Sequence, residues 1–162
     1  MSDIARLAAE LLELLKTKQL KLVVAESCTA GLLAQKLADV PGAGAHFDGG
    51  FVTYTKEQKT SALGVNPALL RDRGAVCPDV ARAMAEGALR HSTADLAAAI
   101  TGVAGPEPDP DGNPVGRVCI AVARRGGVTE QLERHYGDRE RDEIRACAIA
   151  ETIQALITAI NA

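Results

Sequence analysis

Leu22-Val23-Val24-Ala25-Glu26-Ser27-Cys28-Thr29-Ala30-Gly31 is the stretch on which the fold turns. It opens on an apolar, β-branched run, Leu22 to Ala25, the mark of a short strand. The polar cluster Glu26 to Thr29 follows without a spacer. Gly31 to Ala38 then resume a helical pattern, with Leu32, Leu33 and Leu37 apolar. Strand, tight polar turn and helix in that order place side chains at the carboxyl end of a strand and the start of a helix. That is where α/β proteins bind ligands.

Upstream of this unit, residues 3–18 carry Ile4, Leu7, Ala8, Leu11, Leu12, Leu14 and Leu15 at helical spacing, with Ser2 or Asp3 to cap the start. Downstream, Val40 to Gly44 read as a loop and Phe47 to Thr55 as a second strand. Thr55 with Gln58 suits a capping box for a short helix that carries Lys59. Pro67 and Pro78 each begin a helix, the second running through Arg90. Leu96 to Ile100 read as a buried central strand that ends in Thr101-Gly102-Val103-Ala104-Gly105-Pro106. Glu107 to Pro114 form a loop. Val115 to Ala123 and Val128 to His135 flank Arg124-Arg125-Gly126-Gly127 as a hairpin, and Gly137 to Ile160 make a closing helix. Alternating strands and helices predict an α/β fold, a three-layer α/β/α sandwich. The late hairpin makes its sheet mixed, mostly parallel, with about five strands. One domain over residues 1–162 is expected.

Composition narrows the function. The net charge is −3 and no basic patch is present, so duplex nucleic acid is not an expected partner. Aromatic residues are 2% of the chain, too few for the stacking platforms of single-strand binders. Acids at Asp3, Glu10 and Glu13 do not suit an export signal, and no apolar run has membrane-spanning length. Cys28, Cys77, Cys119 and Cys147 are widely spaced, as buried reduced thiols would be. A cytoplasmic protein with no metal, no cofactor and no membrane partner is the expectation.

Three polar segments follow strands and make one candidate cleft: Glu26 to Thr29, Tyr54 to Lys59, and Thr101 to Gly105. Ser27 precedes a helix, whose first backbone N–H groups suit an oxyanion; the competing reading makes Ser27 or Thr29 a plain N-cap. A serine nucleophile needs a base, and none of the three histidines has an obvious Asp partner. Lysine is the alternative. Lys59 sits early in its helix, where the macrodipole disfavours a protonated amine, and Lys56 adds a like charge; a solvated lysine is the competing reading. Arg139, Arg141 and Arg145 open the last helix and suit phosphate or carboxylate, against a solvated face. Glu107, Asp109 and Asp111 read as loop acids rather than a cation site.

These segments resemble the CinA C-terminal domain family, whose stand-alone amidases are also called PncC. Val24 to Gly31 resembles its A-E-S-C-T-G-G signature, and Gly50 to Lys59 its G-F-V-T-Y-S-N-x-x-K. Gly74-Ala75-Val76-Cys77, Thr101 to Pro106, Pro114-Val115-Gly116 and Gly137-Asp138-Arg139 follow the family order along nearly the whole chain. The resemblance implies a three-layer sandwich, commonly oligomeric, and a nicotinamide-nucleotide amidase that hydrolyses nicotinamide mononucleotide with a Ser/Lys pair and no metal. It carries the nucleophile onto Ser27 and the base onto Lys59. Cys28, Thr29, Tyr54, Thr101 and Gly102 are then expected at the substrate, with Arg139, Arg141 and Arg145 near its phosphate. Either Arg139 or Arg141 takes the family arginine's place. The extra N-terminal domain of longer relatives is not expected. Departures fall at Ala30, where the family has glycine, at Gly49 for an arginine and at Asn113 for a lysine. The rival functions are a nucleotide-binding regulatory domain without turnover, and an amidase for another amide.

Overall fold

The structure is a computed structural model that describes residues 2–162. Helix α1 spans Asp3–Lys18, capped by Ser2, whose hydroxyl accepts the Ala5 N–H. It is followed by β1 (Leu22–Glu26), α2 (Leu32–Ala38), β2 (Phe47–Val52), α3 (Lys56–Leu63), α4 (Pro67–Arg73) and α5 (Pro78–Arg90). Then come β3 (Leu96–Gly102), β4 (Arg117–Arg124), β5 (Glu130–His135) and α6 (Arg141–Asn161).

The sheet order is β2-β1-β3-β4-β5. β2, β1 and β3 are parallel, while β4 is antiparallel to both β3 and β5. Four of the five strands therefore point one way, and the antiparallel hairpin makes the sheet mixed. The period of two along the central strands sorts the core into two layers. Leu22, Val24, Leu96, Ala98, Ile100, Val118 and Ile120 face α1, α2 and α6. Val23, Ala25, Ala97, Ala99, Ala121 and Ala123 face α5 and its neighbours. This second layer is largely alanine, so α5 lies close to the sheet and aromatic bulk is not needed. Among the described residues no helix is long and apolar enough to cross a membrane.

Among the boundaries that differ from the sequence expectation, three flank the site segments. β2 ends at Val52 rather than Thr55, because the Thr53 and Tyr54 carbonyls turn to accept hydrogen bonds from a lysine. α6 begins at Arg141 rather than Gly137, since Glu140 is still extended and serves as its N-cap residue. α2 starts at Leu32, because Ala30 (φ +49°) and Gly31 (φ +96°) are both left-handed. Alanine in that region carries about 1–2 kcal/mol of steric strain. Glycine relieves it but loses about 0.4–1 kcal/mol through the freer unfolded chain. Ala30→Gly is therefore expected to stabilise the protein by about 0.5–1 kcal/mol. The urea midpoint should rise at constant slope, and an unchanged or lower midpoint contradicts the expectation.

The β1–α2–β2 crossover leaves the sheet on one face, and the path from β2 to β3 leaves on the other. A crevice opens where such connections diverge, at the carboxyl ends of β2, β1 and β3.

Candidate active site

The turn after β1 is held by a buried carboxylate. Glu26 is 1% exposed and accepts three hydrogen bonds, from Thr29 Oγ1 at 2.6 Å, Leu33 N at 2.9 Å and Ala34 N at 3.0 Å. Gly31 is the N-cap residue of α2 and has no side chain to offer, so a carboxylate from the preceding strand does the capping. The plain-cap reading of Ser27 or Thr29 is thereby corrected. Thr29 donates its hydroxyl to Glu26 and lies outside the cleft lining. The α2 N–H groups offered as oxyanion donors are likewise partly taken. Ala30 N–H donates to Ser27 O, while the N–H groups of Cys28 and Thr29 have no backbone acceptor among the described residues.

Ser27 N–H donates to Ile100 O and prolongs the β1–β3 ladder by one residue, which seats the hydroxyl at the sheet's end. On the other side Thr53 N–H donates to Glu26 O. Thr55 then caps α3 by accepting the Gln58 N–H at 3.1 Å, and the helix aims Lys59 back across the strand ends. Lys59 is 1% exposed. Its Nζ donates to Ser27 Oγ at 2.8 Å, to Thr53 O at 2.9 Å and to Tyr54 O at 3.4 Å. No carboxylate compensates it. Burial lowers its pKa from 10.5 to about 8; Lys56 pushes the same way, and Cys28 opposes. The like charge expected from sequence is thus present, but desolvation dominates, and the solvated reading does not hold.

Thr101 donates its hydroxyl to Ala75 O at 2.7 Å and lines the same cleft with Gly102. A Cβ on Gly102 would come within 2.9 Å of Arg117 O and 2.8 Å of Val118 Cγ2, so close approach of β4 is what requires glycine there. From α6, Arg141 donates Nη2 to Tyr54 Oη at 3.0 Å and Nη1 to Gly105 O. Arg145 Nε donates to Cys28 O at 2.8 Å and props the Ser27–Thr29 turn from outside the cleft. Arg139 is exposed, its guanidinium directed at Cys147 Sγ, and it does not reach the cleft. Of the arginines left open by sequence, Arg141 alone lines it. Ser27, Cys28, Tyr54, Lys59, Thr101 and Arg141 so converge on one cavity of about 550 Å³.

The model of the CinA C-terminal domain family matches residues 4–160. The chain belongs to that family. A CinA-like protein of Geobacter sulfurreducens is 50% identical over 132 residues, which cover 82% of this chain and 32% of that protein. A CinA-like protein of Akkermansia muciniphila is 43% identical over 145 residues, 90% of this chain and 35% of that one. The chain thus spans about a third of the length of these curated relatives. Among solved structures, the competence/damage inducible protein CihA from Agrobacterium tumefaciens superposes with a TM-score of 0.94 at 40% identity, covering 100% of this chain and 98% of that one. A CinA superfamily protein from Escherichia coli gives 0.91 at 34% identity, over 95% and 88% of the two chains.

Within this CinA domain the other candidate groups are committed elsewhere. His46 and His91 contact the Leu20 and Gly87 carbonyls, and His135 pairs with Glu133; none lines the cavity. Burial pushes the Cys28 thiol up to about 11, which keeps it neutral and unreactive beside Ser27. Asp109 accepts from Asn113 N and Nδ2, each at 2.7 Å, and Asp111 accepts from Lys56 Nζ at 2.8 Å. No cluster of three or more potential metal ligands occurs among the described residues. Asp111 is a cavity residue that the sequence placed only in a loop, and Lys56, inside the Tyr54–Lys59 segment, was expected only as a like charge beside Lys59. Lys56 carried a signal, three positions before Lys59. Asp111 carried none, being 55 residues from its partner.

Proposed function

We propose that this CinA-family domain is a nicotinamide-nucleotide amidase, converting nicotinamide mononucleotide to nicotinate mononucleotide and ammonia. The observation that carries the reading is the 2.8 Å contact between a buried, carboxylate-free lysine and a serine hydroxyl, both facing one cavity. A lysine that loses its proton near neutral pH is a competent base for serine.

In the neutral state the hydrogen bond reverses, and Ser27 O–H donates to the Lys59 lone pair. Lys59 takes the proton as Oγ bonds to the carboxamide carbon. The carbonyl π electrons move onto oxygen, where the candidate donors are backbone N–H groups of cavity-lining residues, Cys28 at the start of the turn or Ala104 and Gly105 in the Thr101–Gly105 turn. Lys59 returns the proton to the leaving nitrogen, the C–N bond breaks and ammonia departs. Water, deprotonated by the same lysine, then attacks the acyl-serine and releases the carboxylate and free Ser27. No cofactor or metal enters any step. Tyr54, 54% exposed and lining the cavity, is the aromatic group this reading assigns to the pyridine ring. Arg141 has only neutral acceptors, the Tyr54 hydroxyl and the Gly105 carbonyl, and is open to an anion. Gly49 and Asn113, the departures from the family's arginine and lysine, are not among the residues that line the cavity.

The direct test is ammonia release from nicotinamide mononucleotide by the purified protein, beside free nicotinamide and nicotinamide riboside. Absence of ammonia from all three at high enzyme concentration would end the amidase reading. Release from another amide alone would move it to a different substrate. A cytoplasmic homo-oligomer is part of the same proposal.

The pH profile follows from Lys59. Only the neutral amine accepts a proton, so kcat/KM should climb with pH and reach half its plateau near pH 8, the value burial gives this lysine. A profile already flat from pH 6 upward would exclude Lys59 as the base.

A further inference from the structure

The cavity that holds the catalytic pair is also lined by an ion pair with unequal partners. Lys56 Nζ donates to Asp111 Oδ1 at 2.8 Å, with side chains 38% and 27% exposed. Asp111 sits in a built seat. Its Oδ2 accepts the Ala75 N–H at 3.2 Å, and its carboxylate packs where a Cβ on Gly74 would stand only 3.0 Å away. The loop tip around it is tied by Asp109 to Asn113, and Asn113 Oδ1 accepts from Arg117 Nη1 at 2.6 Å. Asp111 therefore has a backbone partner that does not depend on the lysine. Lys56 is a flexible stem at the first position of α3, with no other partner among the described residues.

The charges facing the cavity leave a specific need. Lys59 is neutral when it works. Asp109 turns both oxygens to Asn113, and Glu107 is an exposed acid without a partner among the described residues. Among the described residues that line the cavity, Arg141 is the cation without an acid partner, and Lys56 is a second cation masked by Asp111. A half-exposed ion pair contributes little and exchanges cheaply. A phosphate monoester, with close to two negative charges, competes well against a single carboxylate for an ammonium.

We propose that Lys56 is a specificity-determining residue that leaves Asp111 to bind the phosphate monoester of the substrate. Asp111 sets the affinity by competing for the same ammonium. The inference rests on the amidase reading for its substrate, and it names the group on this chain that distinguishes a nucleotide from its nucleoside. A simple latch that holds the loop closed is the alternative role for the pair. The two roles differ in sign: breaking a latch from either side weakens binding, whereas unmasking a cation strengthens it.

Calorimetric binding of nicotinamide mononucleotide and of nicotinamide riboside to Ser27→Ala protein separates them, with Lys56→Gln, Lys56→Arg and Asp111→Asn added singly. Lys56→Gln is expected to weaken the mononucleotide about tenfold, the loss of one charge-assisted contact, and to move the riboside much less. Lys56→Arg should retain the preference for the phosphorylated ligand. Asp111→Asn should tighten the mononucleotide a few-fold. Weakening by both Lys56→Gln and Asp111→Asn, or equal shifts for the two ligands, overturns the proposal. Intact phosphate-selective binding without ammonia release by wild type would support Lys56 while rejecting the amidase reading. No binding of the mononucleotide to wild type would reject both.

Discussion

Ser27→Ala is expected to lower kcat by about ten-thousandfold or more, while nicotinamide mononucleotide binds within a few-fold as before. Removing Oγ takes away the atom that bonds to the carboxamide carbon, and no other cavity group replaces it. Cys28 is adjacent, but burial holds its thiol at about 11, so almost no thiolate exists at neutral pH. The histidines hold positions outside the cavity. The substitution is small and leaves the surroundings intact. Ser27 N–H still donates to Ile100 O, and the Glu26 clamp on Thr29 and α2 does not involve the hydroxyl. The measurements are ammonia release and calorimetric affinity on one preparation. Residual turnover within tenfold of wild type would remove Ser27 from the nucleophile's role, and lost affinity would recast it as a binding group.

Lys59→Met should move rate and stability in opposite directions. The rate is expected to fall about a thousandfold, the range for loss of a positioned base. Stability at pH 7 is expected to rise by on the order of 1 kcal/mol. The lysine's displacement from 10.5 to about 8 corresponds to roughly 3 kcal/mol of unfavourable charge burial. Methionine removes that term but leaves the Ser27 hydroxyl and the Thr53 carbonyl short of a partner, an offset of about 1–2 kcal/mol.

The pH dependence gives the sign independently. The folded state holds fewer protons than the unfolded state between pH 8 and 10.5, so wild-type stability rises with pH through that window. The methionine variant lacks this rise. The variant's advantage should be largest below pH 8, pass through zero within the window and reverse toward pH 10.5, where only the lost hydrogen bonds remain. Denaturant melts at pH 7 and pH 10 measure it, and a variant less stable than wild type at pH 7 would mean that Lys59 is fully compensated in the fold.

Much of the architecture was readable from local chemistry. Pro78 at the first turn and the apolar spacing through Leu89 placed α5 at its observed limits, Pro78–Arg90. Leu96 to Ile100, apolar without alternation, marked a strand covered on both faces, and β3 is buried along that length. The Arg124–Gly127 turn between two runs announced the antiparallel hairpin. Misreadings fell where a side chain from elsewhere redirects the backbone. β2 stops early because Lys59 draws the Thr53 and Tyr54 carbonyls, and α2 takes its cap from a strand residue.

Residue order alone determined the strand–turn–helix at Ser27, the helix that carries Lys59 and the scarcity of histidine that turned attention to lysine. Each follows from interactions across a few positions: periodicity, capping and the restraint of proline. Tertiary structure alone decided that Lys59 is buried, that Glu26 rather than Ser27 or Thr29 caps α2, and that Arg141 rather than Arg139 enters the cavity. The same holds for the meeting of Lys56 with Asp111. These outcomes depend on which strand ends lie side by side in the order β2-β1-β3 and on how far α6 is rotated against them. Desolvation is a property of that assembled environment, and it is desolvation that brings Lys59 toward neutrality.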